Sequence, residues 1–188
     1  MLIGGGGHCK SVIDVIEQTG IFEIIGITDV QEKVGTTLIG YPILGRDEII
    51  KTLQNNIDGV HITVGMVGIS DKRASLFSEF KNVGVKFPVI QSPLAYVSKH
   101  AKIGAGTVIM HHAVVNAGAI IGENCIINTK SLVEHDAVIG DHCHIATGAI
   151  INGGVIVGKG SFIGSGSVSK QNSIIPDYSF IKANSIIK

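Results

Sequence analysis

His135 stands in the run Val133-Glu134-His135-Asp136. An imidazole within reach of a carboxylate is the usual arrangement of a general base, because the carboxylate fixes the tautomer and steadies the imidazolium that forms. Eighteen residues further on lies Gly153. Its missing side chain leaves room for a substrate, and its amide is a donor for an oxygen that gains negative charge. His144 follows His135 by nine residues, and Asn116 and Asn152 lie eighteen residues before and after Glu134. Glu134 and Asp136 flank His135, and both are close enough along the chain to supply that carboxylate.

The interval of eighteen matters because the chain repeats every six residues, and internal repeats decide a fold before anything else does. Counting in sixes from Val97 gives Ile103, Ile109, Val115, Ile121, Ile127, Val133, Ile139, Ile145, Ile151, Val157, Ile163, Ser169, Ile175 and Ile181, all Val or Ile except Ser169. Four residues after each is a small or β-branched residue, from Ala101 to Ser185, and no insertion breaks the phase. β-Branched side chains suit inward positions on short strands, and small ones suit tight corners. Three hexads make one three-sided coil, and stacked coils bury each other's inward faces at roughly 4.8 Å per coil. The spacing therefore predicts an all-β parallel β-helix. Gly153 then lies directly beyond His135, whose ring points outward near a corner, and His144 lies half a coil away. Zinc is the rival use of these histidines. β-Helical zinc hydratases carry a pair spaced H-x-x-x-x-H, and no two histidines of the repeat have that spacing, so no metal is expected.

The first half alternates instead of repeating. Short strands are predicted at 1–3, 24–28, 61–64 and 85–90, and helices at 10–19, 46–53 and 71–82, the last capped by Ser70 or Asp71. This pattern makes a small parallel, Rossmann-like α/β sheet. Ser92-Pro93 begins the linker, dividing the chain into 1–91 and 92–188. The run Gly4-Gly5-Gly6-Gly7-His8 after the first strand lets backbone amides approach phosphate at a helix start. Asp29, ending the second strand, is where such folds place an acid against a ribose or base. The full G-x-G-x-x-G spacing fails at Cys9 and Lys10, so a nucleotide fragment of a substrate fits better than a dinucleotide, and a plain strand-to-helix turn fits equally well.

The 15 Lys and Arg balance 15 Asp and Glu, which excludes the basic footprint of a nucleic-acid binder. No apolar run is long enough to span a bilayer. The amino terminus lacks the pattern of a leader peptide, and the three cysteines form no CxxC pair. A cytoplasmic protein is expected.

The glycine run with His8, together with Ile127-Asn128-Thr129, Glu134-His135-Asp136, Ile139-Gly140-Asp141 and His144-Ile145-Ala146-Thr147-Gly148-Ala149, resembles the sialic-acid O-acetyltransferase-like family of hexapeptide-repeat acyltransferases. Within it the chain looks most like enzymes that N-acetylate nucleotide-linked 4-amino sugars of UDP or GDP. The resemblance spans essentially the whole chain. It implies a left-handed β-helix, acetyl-CoA as co-substrate, and a homotrimer with active sites between neighbouring β-helices. It also implies roles for individual residues. His135 is the base and Asp136 its partner, and His144 and the Gly153 amide lie near the thioester. Gly5, Gly6, Gly7 and His8 contact the nucleotide sugar, Asp29 lies near the base, and Asn128 near the sugar. Many relatives end in G-x-P-A-K/R, which this chain lacks. O-acetylation of a free sialic-acid-type sugar and a non-enzymatic structural trimer remain alternatives.

Overall fold

The computed structural model describes residues 1–188 except 54, 69 and 70. In the first half, β1 (Leu2–Ile3), β2 (Ile27–Thr28), β3 (Thr37–Leu38), β4 (Tyr41–Gly45) and β5 (His61–Ile62) form a sheet of order β3-β4-β2-β1-β5. All neighbours are parallel except the edge pair β3–β4. Helix α1 (Gly7–Thr19) buries Cys9, Val12, Ile13, Val15 and Ile16 and stops at Gly20, which takes the left-handed conformation a helix terminus favours. It starts a turn earlier than the apolar spacing predicts, so His8 lies in its first turn. Helix α2 (Ile49–Leu53) is shorter than expected. Helix α3 (Lys72–Asn82) begins after Asp71, whose side chain makes no capping bond. Ser70 lies outside the described residues.

The strand expected at 85–90 is a correction. Only Ile90–Gln91 forms a strand, β6, and it pairs with Val108–Ile109 of the β-helix rather than with the α/β sheet. The antiparallel β3–β4 edge was not expected either. It follows from Gly40 at positive φ, which lets the chain reverse between Leu38 and Tyr41.

From Ile90 onward the chain winds as a left-handed β-helix with three parallel faces. The first face stacks β6 with the strands at 108, 126, 144, 162 and 180. The second stacks those beginning at 96, 114, 132, 150, 168 and 186. The third stacks those beginning at 102, 120, 138, 156 and 174. Successive coils pair eighteen residues apart, as Val133 with Ile151. The inward Val and Ile and the small corner residues form one continuous buried cluster, from Ile109 to Ile175. One regularity was not read from the sequence: from Gly106 to Asn184 every sixth residue has positive φ, whether Gly, Asn, Asp, His, Lys or Tyr. Each is the left-handed residue that turns a corner, and Asp136 is one of them, at φ 58°.

The two halves pack closely. Helix α1 lies over the first face, so Val108, Met110 and Ile126, which point out of the prism, join the core of the α/β domain. Two struts fasten the contact. On one side, Asp14 of α1 meets His111 Nε2 at 2.7 Å, and His111 Nδ1 meets Ser92 Oγ at 2.6 Å. On the other, Arg73 of α3 reaches Asn124. Among the described residues no helix is long and apolar enough to cross a membrane.

Candidate active site

His135 and Asp136 occupy the corner between the second and third faces. His135 Nδ1–H donates to Asp136 Oδ2 at 2.9 Å, which leaves Nε2 as the free basic nitrogen. The ring is well exposed, as its phase predicts. The hydrogen bond to Asp136 raises the imidazole pKa above its ordinary value, against the opposing effect of desolvation.

Gly153 is one coil along, but the room expected beside it is not empty. A Cβ there would stand 2.7 Å from His135 Nε2 and 2.8 Å from Cε1. The room is filled by the imidazole itself, which lies on the glycine backbone. Gly118, one coil the other way, is covered by Asp136 Oδ1, which a Cβ there would meet. The His-Asp pair is thus seated between two bare glycine corners. Asn116 donates to Glu134 Oε2 at 2.8 Å, while Asn152 turns instead to Ser169.

A second group assembles where the α/β domain meets the first face. His144 Nδ1–H donates to the Met66 carbonyl at 2.7 Å, and its Nε2 accepts from Asn128 Nδ2 at 3.0 Å. Asn128 Oδ1 accepts the Thr129 amide, which fixes the orientation of its amide. Burial lowers the His144 pKa to about 4 despite the favourable Met66 bond, and the nearby Arg73 charge adds to the lowering. Its edge rests on Phe162, which stacks on Phe180. His8 joins this group. Burial, Arg73 and His144 lower its pKa to about 3, and its buried Nε2 has no hydrogen-bond partner among the described residues. A buried polar atom of this kind calls for a ligand or water to satisfy it.

The glycine turn lies beside this group. Gly4 has φ 96° and approaches Val64 so closely that a Cβ would meet its Cγ2 at 2.6 Å. Gly6 and Gly7 open α1. Asp29 does not hold out a free carboxylate: it accepts from Gly5 N at 2.9 Å, Val30 N at 2.7 Å and Lys33 Nζ at 2.7 Å. Burial works to raise its pKa, but these hydrogen bonds outweigh it and the pKa falls. A cavity of about 140 Å³ at the carboxyl edge of the sheet is lined by Gly4, Asp29, Arg46, Asp47, Glu48 and Lys72, among others. That edge is where open α/β sheets take ligands. A larger cavity, about 350 Å³, lies at the opposite edge beside Met1, Phe22 and His61, away from these groups.

The structure therefore sorts the sequence candidates into two sets. His8, Asn128 and His144, with the glycine turn and Asp29 beside them, share the junction of the two domains. His135, Asp136 and Gly153 share a corner, and that corner is on the far side of the same prism from the face bearing His144. Within one chain the two sets do not meet. Sequence reasoning missed Arg73 and Met66. Arg73 did leave a signal, because it occupies the apolar stripe of α3 with Phe77 and Phe80. Met66 acts through its carbonyl, which no side-chain pattern reports.

Residues 1–80 match the family model of the PglD N-terminal domain, and residues 100–135 and 136–168 match that of the bacterial transferase hexapeptide (six repeats). The acetyltransferase domain of PglB from Neisseria gonorrhoeae, solved with acetyl coenzyme A, is similar at 29% identity and a TM-score of 0.90, covering 99% of this chain and 90% of that one. A variant of perosamine N-acetyltransferase from Caulobacter crescentus, solved with CoA and GDP-perosamine, is 27% identical with a TM-score of 0.92, covering 100% and 87%. WeeI from Acinetobacter baumannii shares the fold at 24% identity and a TM-score of 0.75, covering 98% and 93%. No curated protein matches the sequence significantly. A β-helix of transferase hexapeptides makes the chain a hexapeptide-repeat acyltransferase. More narrowly, the PglD-type N-terminal domain followed by that β-helix is matched along the whole chain by the PglB acetyltransferase domain and by the Caulobacter enzyme.

Proposed function

We propose that the protein transfers acetyl from acetyl-CoA to the 4-amino group of a nucleotide-activated amino-deoxy sugar, with His135 as general base. The observation that carries this reading is the His135–Asp136 pair seated on Gly153. It offers a free, exposed Nε2 of raised basicity, held by a carboxylate. The amine nitrogen attacks the thioester carbonyl while His135 takes the departing proton. The C–S bond then breaks and the CoA thiolate leaves, accepting that proton from the imidazolium. Asp136 steadies the imidazolium. The Gly153 amide makes no hydrogen bond to the protein among the described residues, which leaves it as a donor for the oxyanion. The glycine turn and the cavity beside Asp29 hold the nucleotide, UDP- or GDP-linked, and Asn128 and His8 face the sugar. The Caulobacter relative was solved with CoA and GDP-perosamine, in keeping with both substrates.

A homotrimer completes the site. The second and third faces carry outward Tyr96, Ile186, Ile120, Ile156 and Ile174, all well exposed, an apolar surface of the kind that seats a partner. The His135 corner lies between these faces. Seating that surface of one copy against the domain junction of the next closes a ring of three and brings each His135 corner to a subunit boundary. There it can meet the His144 face of a neighbour. Such an enzyme works in the cytoplasm, where acetyl-CoA and nucleotide sugars are held.

The deciding experiment measures thiol release from acetyl-CoA with a UDP-4-amino sugar, a GDP-4-amino sugar, free sialic acid and no acceptor. Release that depends on one nucleotide amino sugar is expected. Release only with free sialic acid would move the protein to O-acetylation, and none with any acceptor would leave a structural trimer. His135→Ala should lower kcat by about 10²- to 10⁴-fold while CoA binding persists. A rate equal to the parent's removes His135 from the mechanism.

A further inference from the structure

Arg73 is a buried cation without a carboxylate. Its side chain is closed off from solvent, and no acidic group pairs with it among the described residues. An unpaired buried charge is costly, and a purely apolar residue would complete the α3 stripe more cheaply. What the guanidinium does instead is join three parts of the molecule. Nη1 donates to the carbonyls of Ile62 at 2.7 Å and Val64 at 2.6 Å, at the end of β5. Nη2 donates to Asn124 Oδ1 at 2.8 Å, at a left-handed corner of the β-helix. Asn124 Nδ2 returns a bond to the Arg73 carbonyl and donates to His142 Nδ1.

The segment so pinned is the one that touches both substrate-side groups. Two residues after Val64, the Met66 carbonyl holds His144 Nδ1. Gly65 lies against His8, with a hypothetical Cβ 3.4 Å from the His8 Cβ. Val64 is the neighbour that Gly4 approaches, and Thr63 Oγ1 donates to the Gly4 carbonyl at 2.7 Å. We propose that Arg73 is a positioning residue for the transfer reaction: by tying the end of β5 to the Asn124 corner, it sets the distance between the glycine turn and His144. The proposal rests on the acyl-transfer reading above and adds how the two substrate sites are kept in register. A planar fork can bond the strand and the corner at once, whereas the point charge of lysine cannot.

The test uses the full chain with Arg73→Lys and Asn124→Gly. Glycine keeps the left-handed corner at residue 124 and removes only the amide, so this variant folds even if the first does not. Rates are taken well below each melting temperature, and the imidazole ¹⁵N signals of His144, assigned by their loss in His144→Gln, report its tautomer without turnover. A misplacement of the order of an ångström lowers kcat by up to about 10²-fold. Arg73→Lys is expected to approach that loss and Asn124→Gly to fall by roughly tenfold, with nucleotide and CoA affinities, each measured alone, little changed. In both variants the single Nδ1–H pattern of His144 should give way to mixed tautomers. Rates equal to wild type overturn the proposal, as does a rate loss with His144 signals unmoved. If the parent transfers acetyl to no acceptor, the acyl-transfer reading falls, and the His144 signals alone decide for or against Arg73.

Discussion

The β-helix and the α/β domain specify side-chain positions in different ways. In the β-helix a residue's place follows from its number counted in eighteens. That is why Val133 faces inward, His135 sits at a corner above Gly153, and His144 lies on the opposite side. In the α/β domain the sheet order β3-β4-β2-β1-β5 brings together segments far apart in the chain. There, local pattern gives elements but not neighbours. A periodic stretch carries an address for every side chain, whereas an aperiodic one leaves the address to tertiary packing.

The sharpest way to break that contrast is inside the prism. Ile151 is fully buried by phase, and Ile151→Ala should cost about 2–5 kcal/mol in chemical denaturation. A loss below about 1 kcal/mol would mean that phase does not report packing. Next comes the corner. Asp136→Asn should lower kcat by about 10²-fold and shift the acid limb of the pH–rate profile. The carboxylate raises the His135 pKa, so the inactive imidazolium persists to higher pH in the parent. Removing that charge moves the limb to lower pH, and an unmoved limb would separate Asp136 from the base. Gly153→Ala should cost roughly tenfold in kcat, because the new methyl meets the ring, while the melting temperature barely changes. The smallest effect lies in the α/β domain. Lys33 pairs with Asp29 at the surface, so Lys33→Ala should alter stability by less than about 1 kcal/mol. A larger loss would show that this ion pair, invisible to periodicity, organises the glycine turn.

How far the sequence was readable follows the same line. The β-helix, its phase and the corner position of His135 were legible because the hexads run without a break. The space beside Gly153 was misread as room for a substrate, since phase gives which residues stack but not which way a ring leans, and the His135 ring fills it. The strand at 85–90 was misassigned because Ile90 is apolar in either setting, and only pairing with Val108 decides. The engagement of Asp29 by Gly5, Val30 and Lys33 depends on a turn whose form the sequence leaves open. The Arg73 joint was hidden because its acceptors are mostly carbonyls.

His135 and His144 stand on opposite sides of one prism, and that arrangement has a genetic consequence. In the proposed ring each reaction centre draws His135 from one copy and the His144 group from the next. Two alleles, one defective at His135 and the other at His144, should therefore complement when expressed together. Random mixing in equal amounts leaves roughly a quarter of the boundaries with both groups intact. Cells carrying either allele alone would have none, so the pair of mutants would be healthier together than apart.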